Sequence, residues 1–230
     1  MTATTALLPD LAGDGERSDG WEGLIKSKAR VKAHGEVFTP AHMVNLMLDV
    51  VSEELETGPG FVDATFLEPA AGDGNFLVAI LGRKLAAIET RLSPRVWERE
   101  SLFALASIYG IELLEDNHSD AQGAMLDVFL SWHNRHGTGV SRRTNLYRAA
   151  KFLIATNIRR GNTLTGAAPD GSEIEFSWWH RTLGNLVVRE SFKFNSLRAD
   201  TPAVDLFAAL EERVVYAPCR INTVFNKEAK

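Results

Sequence analysis

The sequence predicts an α/β fold with a doubly wound, mostly parallel sheet and a helical N-terminal extension. Three short apolar runs with strand character, at 64–68, 107–113 and 152–157, alternate with longer segments of helical periodicity. A glycine-rich turn follows the first run and leads at once into a helix. Such turns lie at the carboxyl edge of a parallel sheet, where ligands of doubly wound folds bind.

The composition is that of an ordinary globular protein, with 230 residues, 45% hydrophobic and 24% charged. No apolar run approaches the ~18 residues of a membrane span, and the first twenty residues lack the basic start of a secretory signal. The single cysteine, Cys219, excludes an internal disulfide and a cysteine-based zinc site. We therefore expect a cytoplasmic protein that uses neither a metal ion nor a membrane.

The charges are segregated along a chain whose net charge is −5. Residues 128–169 contain no acidic side chain but seven basic ones, and a shorter acid-free stretch lies at 26–32. Such segregation is typical of a surface for a polyanion, although a solvated face balanced by acids elsewhere explains it equally well. If the longer stretch meets DNA, its candidate phosphate contacts are Arg142, Arg143, Arg159 and Arg160.

The N-terminal part divides into a mobile segment at 1–20 and a helical lead-in at 21–58. A short basic helix is expected at 21–33. A stronger helix follows, with Thr39 as N-cap, Pro40 at the first helical position and Gly58 beyond the end. Its apolar residues keep helical spacing and predict one face packed on a core: Met43, Val44, Met47, Leu48, Val51 and Leu55.

Residues 59–215 form the expected ligand-binding domain, and 216–230 an uninformative tail. Helices are predicted at 75–90, 93–104, 116–132 and 145–150, with a polar loop at 133–141. Beyond Gly161 the alternation stops, and two β-like pieces at 173–179 and 186–194 precede a helix at 201–214.

The sharpest motif is the segment 66–76, in which a strand ends in Glu68 and a glycine-rich turn opens a helix. Glycines let the backbone approach a ligand where any Cβ would collide. A nicotinamide dinucleotide site requires a third glycine, but Leu77 occupies that position. An acid at the strand end repels a pyrophosphate and suits the cationic amino-acid part of S-adenosylmethionine.

Four segments resemble, in order, the S-adenosylmethionine-dependent DNA methyltransferases of the adenine-N6 type found in restriction-modification systems. They are GEVFTP at 35–40, EPAAGDGNF at 68–76, YGIE at 109–112 and NIRRGNTL at 157–164. The resemblance covers residues 31–165. It implies a Rossmann-like methyltransferase fold, S-adenosylmethionine as cofactor and DNA as substrate.

The same resemblance implies a role for each segment. Phe38, Thr39 and Pro40 would line the methionine side of the cofactor, and Glu112 would hold the ribose hydroxyls. Asn162 stands where the family has an aspartate, and its amide would accept from the adenine amino group without charge assistance. The cofactor loop itself would comprise Glu68, Pro69, Ala70, Gly72, Asp73, Gly74, Asn75 and Phe76.

One family motif is absent from the sequence. Adenine-N6 and cytosine-N4 methyltransferases carry an (Asn/Asp/Ser)-Pro-Pro-aromatic tetrapeptide that binds the target amine and stacks on the flipped base. This chain contains no Pro-Pro dipeptide, although it continues for 66 residues past Leu164. The catalytic residues are therefore unknown from the sequence.

Two functions remain open. The first is methyl transfer to the exocyclic N6 of adenine in DNA, impaired or dependent on a partner. The second is a non-catalytic S-adenosylmethionine-binding subunit or decoy of a restriction-modification or phage-related system, whose partner supplies catalytic or target-recognition elements. A dinucleotide-dependent enzyme is disfavoured by Leu77.

Overall fold

A computed structural model describes residues 25–34, 36–197 and 213–226 of the chain. The chain divides into two compact units, Met1–Phe38 and Thr39–Lys230. The boundary expected between lead-in and domain, at 58/59, lies inside the second unit. Helix α1 (Lys28–His34) overlaps the basic helix predicted at 21–33. The segment 1–20 and the helix predicted at 201–214, apart from its last two residues, lie outside the described residues.

The helices of the second unit lie close to their predicted positions. They are α2 (Ala41–Asp49), α3 (Asn75–Arg91), α4 (Trp97–Ala106), α5 (Glu115–Arg135) and α6 (Asn145–Asn157). A short π-helical turn, Glu53–Thr57, follows α2. Among the described residues, no helix has the length and apolar character needed to cross a lipid bilayer.

The start of the chain's second helix differs from the prediction. Pro40, with extended backbone angles, is the N-cap residue of α2, so Thr39 precedes the cap. On this helix Val44 and Leu48 are buried, whereas Met43 is 44% and Met47 55% exposed. The predicted apolar face is therefore only partly packed, because the short helix turns just one stripe toward the core.

Three strands form a parallel sheet: β1 (Phe66–Glu68), β2 (Ile108–Glu112) and β3 (Ile158–Arg160), with β2 in the centre. The first two strands confirm the prediction. The third strand predicted at 152–157 is wrong, since α6 continues to Asn157 and the strand begins after it. Leu153 and Ile154 are buried on the inner face of α6, and a short apolar run fits either structure.

The two β-like pieces predicted beyond Gly161 are confirmed as an antiparallel hairpin of β4 (Glu175–Thr182) and β5 (Leu186–Lys193). Two short strands, β6 (Val214–Val215) and β7 (Cys219–Arg220), pair with β5. In the region predicted as a tail, Ile221 and Val224 are buried. This C-terminal segment therefore belongs to the core of the second unit.

The two faces of the parallel sheet are covered differently. Successive side chains of a strand point to opposite faces. Gly110 of β2 faces Leu77 of α3, whereas Tyr109 and Ile111 pack in a cluster with Phe176 and other aromatic residues of the hairpin segment. The Tyr109 hydroxyl donates to the Ser177 carbonyl at 2.8 Å, and burial raises the pKa of this phenol. The fold is mixed α/β, with helices on one face of the parallel sheet and an antiparallel sheet on the other.

Candidate functional site

The glycine-rich loop after β1 has a conformation that its glycines make accessible. Gly72 has a φ of 56° and Gly74 a φ of 100°, in the left-handed region that side chains rarely adopt. Gly74 is the N-cap residue of α3, and a Cβ there would lie 3.0 Å from the Ala121 Cα of α5. The loop therefore turns sharply between strand and helix while α5 packs directly behind it.

Glu112, at the end of β2, holds this loop in place. It is 7% exposed, and its Oε2 accepts a hydrogen bond from the Gly72 N–H at 2.8 Å. Its Oε1 accepts from the Leu114 N–H, also at 2.8 Å. The Ala71 N–H donates to the Ile111 carbonyl at 2.9 Å. The predicted ribose ligand thus already serves the protein by fixing the loop.

The loop after β3 reaches the same place. The Thr163 hydroxyl donates to the Pro69 carbonyl, which joins residues 94 positions apart in the chain. Within the glycine-rich loop, the Ala70 N–H donates to Glu68 Oε1 at 3.0 Å, and both Pro69 and Ala70 are exposed. Sequence reasoning missed Thr163, since a threonine in a polar loop carries no signal of its own.

Asn162 is placed beside Thr163, but its side-chain oxygen is engaged locally. Its Oδ1 accepts from the Leu164 N–H at 2.9 Å and the Thr165 N–H at 3.3 Å. A carbonyl oxygen has two lone pairs, so both are used in this turn. The acceptor that the resemblance assigns to the adenine amino group is therefore occupied, and the amide nitrogen is the polar atom that could face a ligand.

Thr39 also meets the glycine-rich loop, because the Asn75 side-chain amide donates to the Thr39 carbonyl at 3.3 Å. Pro40 follows as the N-cap of α2. Asp73 and Phe76 are half-buried, and Phe76 packs against the main core. Phe38 is the last residue of the first unit, and its predicted contact with the cofactor stays a prediction.

The four candidate arginines lie on two different elements. Arg142 and Arg143 are exposed in the turn before α6. Arg159 of β3 donates to the Ala155 carbonyl at 3.4 Å. Its neighbour Arg160 lies beside Glu112 in the sheet register and forms an ion pair with Glu115 at 2.9 Å. Arg160 is thus the member of this set that borders the glycine-rich edge.

Near the hairpin, two tryptophans and an asparagine have the aromatic rings and the amide that a tetrapeptide of this kind would supply, but each has a structural partner. Trp178 stacks on Phe192 with ring centroids 4.7 Å apart, and Trp179 donates to Asn157 Oδ1 at 2.9 Å. Asn195 donates to Glu173 at 2.7 Å. The first and third contacts hold the hairpin segment together, and the second ties it to α6.

The loop predicted at 133–141 begins later than expected, because His133 lies in the last turn of α5 and His136 is its C-cap residue. His133 is buried, and its ring lies 2.9 Å from Ser101 Oγ, whereas His136 bonds to Glu89. In the part of the chain that the structure describes, no cluster of three or more His, Cys, Asp or Glu side chains could hold a metal ion. Cys219 is buried.

Comparison with family models, curated proteins and solved structures finds no match to this chain.

Proposed function

We propose that this chain is an S-adenosylmethionine-binding, DNA-methyltransferase-like protein of the adenine-N6 type. The observation that carries the proposal is the convergence of three segments on one glycine-rich loop. Thr39, Glu112 and Thr163 each hydrogen-bond to this loop, although they lie 36, 40 and 94 positions from their partners. These segments are the ones in which the sequence resembles the methyltransferases.

The residues present fit the proposed cofactor. A carboxylate has about four lone-pair positions, and Glu112 uses one on each oxygen for a backbone N–H, so acceptors remain for two ribose hydroxyls. Glu68 at the strand end supplies negative charge for the ammonium group of the methionine part. When bound, the cofactor would supply an activated methyl group, and the protein would contribute chiefly positioning.

The sheet favours a partner-dependent form of this function. Its order β1-β2-β3 corresponds to one half of a doubly wound sheet, in which the first strand also pairs with a fourth. Among the described residues, no strand pairs with the outer edge of β1, and Leu67 on that strand is 41% exposed. The absent tetrapeptide follows a fourth strand in the family. We therefore propose that a partner subunit supplies these elements.

Calorimetric titration with S-adenosylmethionine tests the cofactor assignment. Gly72→Val forces a branched side chain into the left-handed region and is expected to abolish binding. Glu112→Ala removes the ribose acceptor and is expected to weaken binding by about 1–3 kcal/mol. Asp127→Ala, which alters an exposed acid in the second half of α5, serves as the control. Unchanged affinity in both loop variants would contradict the assignment.

Methyl transfer from labelled cofactor to host DNA separates the two functions that the sequence leaves open. We expect the isolated chain to bind cofactor. Because it lacks the tetrapeptide's acceptors for the target amine, we expect its methyl transfer to be at least about a hundredfold slower than that of an enzyme that has them. Rapid turnover by the pure chain would show that the tetrapeptide is not needed here. No turnover after addition of host extract would favour the non-catalytic decoy.

DNA binding is tested by its salt dependence. If Arg142 and Arg143 contact phosphates, their joint replacement by glutamine should reduce the slope of log affinity against log salt by up to about 2. An unaltered slope would show that these arginines do not contact phosphates and belong to an ordinary solvated surface.

A further inference from the structure

We propose that a second site, at the far end of α3 from the glycine-rich loop, binds a phosphate-bearing ligand of mononucleotide size. The site is a half-open cavity of about 620 Å³. Its polar lining consists of Arg95, Glu98, Arg99, Asn185, Arg220 and Asn222. The proposal does not depend on the function proposed for the glycine-rich loop.

The cavity is remote from the glycine-rich loop. Helix α3 begins at that loop and runs for 17 residues, which corresponds to roughly 25 Å at 1.5 Å per residue. Beyond the far end of this helix, Arg95 lies in the 3-10 turn Pro94–Val96 and Arg99 in the first turn of α4. A ligand here would therefore occupy a place of its own.

The turn between β4 and β5 and the end of β7 form the opposite wall. Arg220 is paired in register with Leu186, the residue after Asn185. Asn185 has a φ of 61°, a left-handed conformation that asparagine adopts more readily than most residues. The tight turn and the end of β7 thus bring Asn185 and Arg220 to the same wall of the cavity.

The cavity carries an excess of positive charge. Arg95 and Arg220 form no ion pair among the described residues, and Glu98 is the one acid in the lining. Arg99 pairs with Glu100 at 2.6 Å, but Glu100 also binds Arg181 at 2.6 Å. Guanidinium groups around one cavity repel each other, and a bound anion relieves this repulsion.

The chemistry of the lining favours phosphate. Guanidinium groups bind phosphate oxygens through two parallel N–H bonds, a geometry that ammonium groups do not offer. The Asn222 Oδ1 is buried and has no hydrogen-bond partner in the described part of the chain. Asn222 therefore keeps spare hydrogen-bonding capacity at the wall of the cavity.

The size of the cavity indicates a single mononucleotide. Ligand pockets span about 300–1,000 Å³, and this one lies in the middle of that range. A strand of DNA requires cations that continue along its backbone beyond one cavity. We assign the site to a free nucleotide on the ground of its size, and a nucleic-acid strand is the alternative that the test separates.

The test is calorimetric titration at low ionic strength with thymidine monophosphate, whose pyrimidine avoids competition for an adenosine site, and with inorganic phosphate. Arg95→Gln/Arg220→Gln is expected to raise the dissociation constant of the nucleotide at least about tenfold. The matched control Arg142→Gln/Arg143→Gln, and Gly72→Val in the glycine-rich loop, should leave it unchanged. Circular dichroism confirms that each variant is folded.

Three results would overturn the proposal. The first is the absence of nucleotide binding to the unaltered chain at millimolar concentration. The second is an equal loss of affinity in the control pair, which would indicate non-specific attraction to basic side chains. The third is binding of a single-stranded oligonucleotide through Arg95 and Arg220 without binding of the mononucleotide, which would make this face part of a nucleic-acid interface. Loss of S-adenosylmethionine binding alone leaves the assignment intact.

Discussion

Lys84 is fully buried, yet every hydrogen-bonding position of its ammonium group is used. Its three N–H groups are shared among four acceptors at 2.7–3.0 Å, the carbonyls of Phe61, Val62 and Ala64 and the Ser107 Oγ. Burial lowers the pKa of this lysine to about 7. One side chain on α3 thus ties the segment before β1 to the segment before β2, and so positions the start of both strands.

Replacing Lys84 tests this role. Lys84→Met keeps the apolar stem but leaves three carbonyl oxygens without their donor, so we expect the free energy of unfolding to fall by at least about 3 kcal/mol. Urea denaturation followed by circular dichroism measures the change. Lys151→Met, at an exposed position of α6, is the control and should change stability by less than about 0.5 kcal/mol.

His133 makes stability depend on pH. Burial, together with the neighbouring His136, lowers the pKa of His133 from 6.5 to about 4. Between these values the unfolded chain binds a proton that the folded chain does not, so stability falls as the pH drops from 6.5 to 4. His133→Gln should flatten this fall. Chemical denaturation at a series of pH values measures it, and an identical pH profile in the variant would refute the assignment.

At the scale of elements, the junction between the glycine-rich loop and α3 requires one particular glycine. Gly74 combines a φ of 100° with close contact to Ala121, whereas Gly82, within the same helix, has open space where its Cβ would be. Replacement by alanine should therefore change the stability of the chain in opposite directions at these two positions.

Gly74→Ala should destabilise the chain by about 1–3 kcal/mol, because the left-handed angle and the contact with α5 both oppose a side chain. Gly82→Ala should stabilise it by about 0.5–1 kcal/mol, because alanine favours the helix. Thermal unfolding of both variants provides the comparison. Destabilisation of similar size in both would mean that the loop tolerates a Cβ at position 74.

At the scale of the whole second unit, the parallel and antiparallel sheets share a core. Tyr109 and Ile111 of β2 pack with Phe176 and Phe192 of the hairpin, and all four are buried. Arg181 adds a polar connection, since it pairs with Asp63 at 2.7 Å and Glu100 at 2.6 Å. Neither sheet can lose its packing without exposing the other.

We therefore expect the described residues of the second unit to unfold in one cooperative transition. Phe176→Ala opens a cavity between the sheets and should lower the free energy of unfolding by about 3–5 kcal/mol. Tryptophan fluorescence, which includes Trp178 and Trp179 of the hairpin, and far-ultraviolet circular dichroism should report the same midpoint. Leu183→Ala, at a side chain 97% exposed, is the control. Two separate midpoints would show that the hairpin folds independently.

The sequence by itself determined the features that depend on local signals. The strands β1 and β2 are short apolar runs, and the hairpin strands contain many β-branched and aromatic residues. The turn between Glu68 and Asn75 has the glycines that its left-handed angles require. The positions of Glu68 and Glu112 at strand ends follow from the same pattern. Such signals are carried by a few neighbouring residues, so they can be recognised from the sequence alone.

Only the tertiary structure decided what depends on distant contacts. The run at 152–157 is helical because Leu153 and Ile154 pack into the core as part of α6, and β3 begins only after it. The second face of the sheet is covered by aromatic residues of the hairpin. The engagement of Glu112 with Gly72, and of Thr163 with Pro69, joins residues far apart in the chain. Hydrogen bonding and burial across such separations follow from how elements pack together, and no local pattern encodes that packing.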